Sequence, residues 1–185
     1  MNAQLEFVRD INTRSSQAED PEDFIAYGSA YLFTLNDQVT GRELWISDGT
    51  VAGSRLVKDI NKKGDGFNGH SPCFTFLGGI AYFFADDDTH GTELWRSDGT
   101  ADGTWLVKDV RPGNLDGVGE ELIAVGGKLF FTGRTDGQGR ELWVSDGTAL
   151  GTRLVMDILP GGGSSNPRHL IAFNGDVLFE ANNGT

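Results

Sequence analysis

One cysteine, five prolines, three histidines and a shortage of positive charge set the first limits on this chain. With Cys73 alone, no disulfide can form within it, and a small disulfide-stapled scaffold is excluded. Cys73 stands beside Phe74 in an apolar run and reads as a small core residue, not a nucleophile. Lys and Arg number 15 against 27 Asp and Glu, a formal net charge of -12. Phosphate recognition needs clustered Lys and Arg, so nucleic acid is not expected as a partner. No apolar run approaches the length of a membrane span, and membrane insertion is not expected. Met1 to Asp10 mixes acidic and basic residues without an apolar core, so no signal peptide is expected here. No His-Glu-x-x-His, nucleophile elbow or phosphate-cradling glycine loop occurs. His70, His90 and His169 lack the paired spacing of metal ligands and read as loop residues.

What the chain has in quantity is glycine, 27 residues, with 12 Phe and 4 Trp. That mixture suits many short strands joined by tight turns. It also has a repeat. Glu43-Leu44-Trp45-Ile46-Ser47-Asp48-Gly49-Thr50 returns from Glu93 to Thr100 and again from Glu141 to Thr148. Each copy continues into Gly-Ser or Gly-Thr, then Leu-Val and an aspartate: Asp59, Asp109 and Asp157. A period of about 50 residues with all-β units indicates propeller blades.

The unit between Leu122 and Ile158 can be read strand by strand. Leu122–Val125 and Leu129–Thr132 flank Gly126-Gly127, a two-residue hairpin signal. A polar loop, Arg134–Arg140, leads to Glu141–Val144, and Asp146-Gly147-Thr148 turns the chain into Arg153–Ile158. These are four antiparallel strands, A to D. Gly28-Ser29, Gly78-Gly79 and Asn174-Gly175 occupy the same hairpin position in the other units. Blades stack face to face, so middle strands read as apolar runs without alternation.

The expected fold is all-β, a β-propeller of four-stranded antiparallel blades, three whole plus a split and incomplete fourth, or a segment of a larger propeller. The single domain 1–185 divides into strand D of the split blade at 1–11, blades at 12–60, 61–110 and 111–158, and strands A and B of the split blade at 159–185. Phe7–Ile11 carries the strand D pattern, and no strand C completes the fourth unit. That blade has three strands, or takes a strand from another chain, or belongs to a longer ring; an unpaired edge is a template for association.

Three Glu-Leu-Trp-x-x-Asp-Gly-Thr motifs at near-constant spacing resemble the bacterial repeat family named for that motif, also described as hyalin-like. The resemblance covers nearly the whole chain and implies an extracellular or cell-surface propeller within a larger exported protein. The turn from Ser97 to Trp105 is also similar to the Asp-box hairpin of sialidase-like propellers, where it is structural.

Asp48, Asp98 and Asp146 recur at a turn, where a carboxylate can accept backbone N–H bonds, and are read as structural. Trp45, Trp95 and Trp143, each beside Leu, are read as wedges between blades. Trp105 occurs once, where the other units have Arg55 and Arg153, and is a candidate aromatic platform for a ligand. The hairpins hardly vary between units, but the B–C and D–A loops do. Varied loops on a rigid scaffold carry specificity, so ligand candidates are placed there: Asp86, Asp87, Asp88, His90 and Asp136, with Trp105. Asp86, Asp87 and Asp88 with Asp65 and Asp116 offer hard oxygen ligands and make Ca²⁺ a candidate cofactor.

The expected function is a non-catalytic binding or adhesion module for a protein or glycan, with the chain not an enzyme. The alternatives are a structural repeat that self-assembles into a homo-oligomer through its incomplete blade, and a fragment of an Asp-box-type glycan hydrolase.

Overall fold

The computed structural model describes residues 20–68 and 71–185. The strand D expected at 1–11 and His70 lie outside these residues. Fourteen strands follow one another without a helix among the described residues, and so no helix there is long and apolar enough to cross a membrane. The first unit contains β1 (Glu22–Tyr27), β2 (Ala30–Asn36), β3 (Arg42–Ser47) and β4 (Arg55–Lys58). The second contains β5 (Thr75–Leu77), β6 (Ile80–Asp86), β7 (Thr92–Ser97) and β8 (Trp105–Lys108). The third contains β9 (Val118–Val125), β10 (Lys128–Thr135), β11 (Gly139–Ser145) and β12 (Arg153–Met156). β13 (Arg168–Phe173) and β14 (Asp176–Glu180) form a hairpin after them. Each of the first three units is one antiparallel sheet in sequence order.

Turn chemistry sets these registers. Gly78 and Gly79, Gly126 and Gly127, and Asn174 and Gly175 all have positive φ, between 52° and 89°, as a type I′ turn requires. The first hairpin differs: Gly28 has φ 62°, but Ser29 does not join it on the positive side. The D strands end one residue before Asp59, Asp109 and Asp157, shorter than the sequence pattern suggested.

Middle strands are buried on both faces. Leu32 to Leu35 and Ala81 to Ala85 are buried without interruption. Leu32, Leu44 and Ile46 pack with Ala81, Phe83 and Trp95, joining the first sheet to the second. Tyr82, Phe84 and Leu94 pack with Leu129, Phe131 and Trp143, joining the second to the third. Each fully buried Leu or Phe contributes about 1.5–3 kcal/mol of transfer free energy.

A backbone staple repeats between units. The Phe67 N–H donates to the Arg42 carbonyl of the first sheet at 3.2 Å, and the Asp86 N–H of the second donates to the Gly66 carbonyl at 2.9 Å. The Gly117 N–H donates to Thr92, and the Arg134 N–H to Gly117, across the next junction. The Asn166 N–H donates to Arg140, and the Asn182 N–H to Ser165, across the last. β13 and β14 are therefore docked by the same device as a whole unit.

Candidate functional site

The loops between second and third strands meet the segments that leave the fourth strands at one end of the sheets. A Cβ on Gly41 would lie 2.4 Å from the Gly64 carbonyl oxygen, and one on Gly139 would lie 1.8 Å from that of Gly163. Only glycine permits so close an approach, and both have positive φ.

A buried carboxylate organises each of these junctions. Glu43 is fully buried, and its two oxygens accept the N–H groups of Ile60 at 2.8 Å, Asn61 at 3.0 Å and Gly66 at 3.0 Å. Glu93 accepts from Val110 at 2.9 Å and Arg111 at 3.1 Å. Glu141 accepts from Ile158 and Ser165, and the Ser165 hydroxyl donates to it as well. Burial pushes Glu43 and Glu93 up to about 8, against the pull of those N–H groups, with Asp59 and Asp109 adding to the rise. One oxygen of Asp59, Asp109 and Asp157 is buried without a hydrogen-bond partner. The sequence reading used the glutamates only to set register. Their recurrence ahead of Leu-Trp was the signal that could have shown their role.

The acids expected to gather a ligand or Ca²⁺ are held apart by separate tasks. Asp65 accepts the Arg42 N–H at 2.8 Å, and Asp116 accepts the Thr92 N–H at 2.8 Å, so both reinforce the staples. Asp86 accepts the Asp88 N–H at 2.7 Å and the Asn68 amide at 2.9 Å. Asp87 accepts the N–H groups of Thr89 and His90, and its carboxylate lies 2.9 Å from His90 Nδ1. Burial raises Asp87, but the His90 ring and those N–H groups outweigh it and hold it below the ordinary range. Asp88 pairs with Lys63, and Asp136 pairs with Arg111 at 2.6 Å. Among the described residues no three carboxylate, imidazole or thiol groups converge.

The other end carries the Asp-Gly-Thr hairpins. Asp98 accepts the Thr100 N–H at 2.9 Å and its hydroxyl at 2.6 Å, and the Thr100 hydroxyl accepts the Gly103 N–H at 2.9 Å. Asp48 and Asp146 repeat this with Thr50 and Thr148. The threonine hydroxyl holds each of these carboxyls below the ordinary range. Tyr27 reaches across from the first sheet to donate to the Asp98 carbonyl at 3.0 Å. Trp95 and Trp143 sit in the cores between sheets, but Trp45 packs with Phe33, Leu35 and Leu56 of its own sheet. Trp105 is 44 % exposed, and the Arg96 guanidinium lies 4.1 Å from its ring centroid. One face of the expected platform is thus already occupied. Cys73 is half-buried, and burial raises its thiol.

At the variable-loop end, a groove of about 350 Å³ opens in the first unit. Asn36, Gln38, Thr40, Asp59, Lys62 and Lys63 supply its polar groups, and exposed Val39 stands at its rim. The sequence reading placed ligand candidates on this end but named none of the groove's side chains as sites.

No family model matches this chain, and no curated protein matches it. A solved structure described as a novel alpha-L-arabinofuranosidase (CtGH43) from Clostridium thermocellum aligns with 88 % of this chain, at 14 % identity and a TM-score of 0.38. The chain spans 60 % of the length of that structure. Beside a neighbour described as an arabinofuranosidase, the expectation that the chain is not an enzyme is not sustained. At that TM-score the likeness carries no reaction over to these residues.

Proposed function

We propose that the chain is a β-propeller segment that recognises a glycan through its variable-loop end. The groove of the first unit carries the reading: amide, hydroxyl, carboxylate and ammonium groups converge on a shallow polar cleft beside one exposed apolar side chain. Such a mixture can hydrogen-bond sugar hydroxyls while Val39 covers the apolar face of a ring. The scaffold suits the task, because the Gly41–Gly64 contact and the buried Glu43 fix both walls of the groove. Lys62 has no ion pair among the described residues and is the group most available to a ligand.

Calorimetric titration of the chain with a panel of polysaccharides and oligosaccharides tests this, with release of reducing sugar followed on the same panel. At least one glycan is expected to bind. Lys62→Ala and Val39→Ser should each weaken binding about tenfold, the loss of one charge-assisted hydrogen bond or one apolar contact. Their melting temperatures should stay unchanged. A folded chain that binds no glycan, or binds one equally well with both substitutions, would remove the proposal.

A further inference from the structure

In the second unit a cation sits where the other whole units place a hydrocarbon. Residues directly opposed on neighbouring strands share a face, and Tyr82, Arg96 and Trp105 make such a row across β6, β7 and β8. The corresponding rows are Leu32, Ile46 and Arg55 in the first unit and Phe130, Val144 and Arg153 in the third. Ile46 and Val144 are buried, and Arg96, partly buried, holds the same middle position. Its Nε is enclosed without a hydrogen-bond partner, and among the described residues no ion pair or hydrogen bond engages the guanidinium. The Trp105 ring supports it, with 4.1 Å between Cζ and the ring centroid. Asp98 feels the charge of Arg96 but is engaged by the Thr100 hydroxyl. Asp146, whose charge reaches Tyr82, is engaged by Thr148 and faces the charge of Lys128. The Tyr82 hydroxyl lies against Gly147 of the next hairpin, where a Cβ would come within 2.1 Å of it.

A charge held partly out of water without an acceptor costs stability, and an aliphatic residue would remove that cost. We propose that Tyr82, Arg96 and Trp105 form a binding site for an oxyanion, a carboxylate or sulfate group, at the hairpin end of the second unit. The guanidinium offers parallel N–H donors that match two oxygens of either group. Its seat on the indole fixes the plane of that fork before a ligand arrives. The Tyr82 O–H is a further donor, and the exposed part of the Trp105 ring covers the apolar body that bears the anion. Asp98 and Asp146 border the site with negative charge, so it takes a single anionic group and not a polyanion. The net charge of -12 enforces the same distinction. Four-stranded sheets flank the second unit on both sides. The site lies at the end opposite the glycan groove and does not depend on that reading.

The test follows tryptophan fluorescence and melting temperature of the intact chain during titration with sodium sulfate, sodium acetate and sodium glucuronate. Sodium chloride and glucose are the matched controls. A saturable response to at least one of the three anions is expected, with half-saturation in the millimolar range, and none to chloride or glucose. Glucuronate binding more tightly than acetate supports a sugar ring lying on Trp105; equal affinities support recognition of the anion alone. Arg96→Ile, which copies the first unit, should fold with an unchanged or higher melting temperature and weaken binding at least tenfold. Arg96→Lys keeps the charge but loses the fork, and should weaken binding about tenfold. Sulfate also stabilises proteins in general by exclusion from their surfaces, so the deciding signal is the saturable part that Arg96→Ile removes. No saturable response to any of the three anions, or one that survives Arg96→Ile, overturns the proposal. A destabilised Arg96→Ile would show that the guanidinium is already satisfied within the fold, which overturns it as well.

Discussion

At the scale of the residue, Glu93 shows how one side chain serves two demands. Burial resists its charge, yet the N–H groups of Val110 and Arg111 need an acceptor. Its carboxyl is raised from an ordinary value of 4.5 to about 8, as is that of Glu43. Between those values the folded chain retains protons that the unfolded chain has released, so stability falls as pH rises. The contribution is complete below 4.5 and is lost as pH passes through 8. Thermal melting from pH 5 to 8 should show this decline, and Glu93→Gln should have a flatter profile because its amide does not titrate. A parallel profile for variant and parent would contradict the assignment.

Single elements explain why the motif reads as it does. The Asp-Gly-Thr hairpin needs glycine five residues after the aspartate, because the carboxylate lies over that backbone. A Cβ added at Gly53, Gly103 or Gly151 would stand 2.0, 1.8 or 2.0 Å from the aspartate Oδ1. Gly103→Ala should therefore cost about 1–3 kcal/mol, the usual penalty for forced overpacking, measured by urea unfolding. An unchanged midpoint would show that the carboxylate swings away without cost. Most of each sheet was legible in the sequence, because glycine-bearing hairpins and runs such as Leu32 to Leu35 mark strands directly. The staples were not. Asp65 and Asp116 look like any loop acids until Arg42 and Thr92, far off in sequence, are brought beside them. The groove was hidden for the same reason, since Asn36 and Lys62 meet only after the sheet has formed. Trp105 was legible only in part: its uniqueness marked it as a candidate ligand surface, and one face of its half-exposed ring seats Arg96.

For the whole molecule, the repeated staple has a mechanical consequence. Each junction ties one sheet to the next through a few short backbone bonds, one buried glutamate and an apolar cluster, and among the described residues no packing cluster reaches beyond adjacent sheets. A chain built this way behaves as a row of nearest-neighbour links. Under force applied between its ends, it should come apart unit by unit rather than in one rupture. The motif recurs after 50 residues (Glu43 to Glu93) and then 48 (Glu93 to Glu141), so each release should lengthen the tether by about 170 Å of extended chain. Optical-trap extension would show these as near-equal steps, and a single collapse of the full length would mean that the sheets share one cooperative core. The protein thus yields slack in fixed increments, as a sacrificial link does, whatever its loops hold.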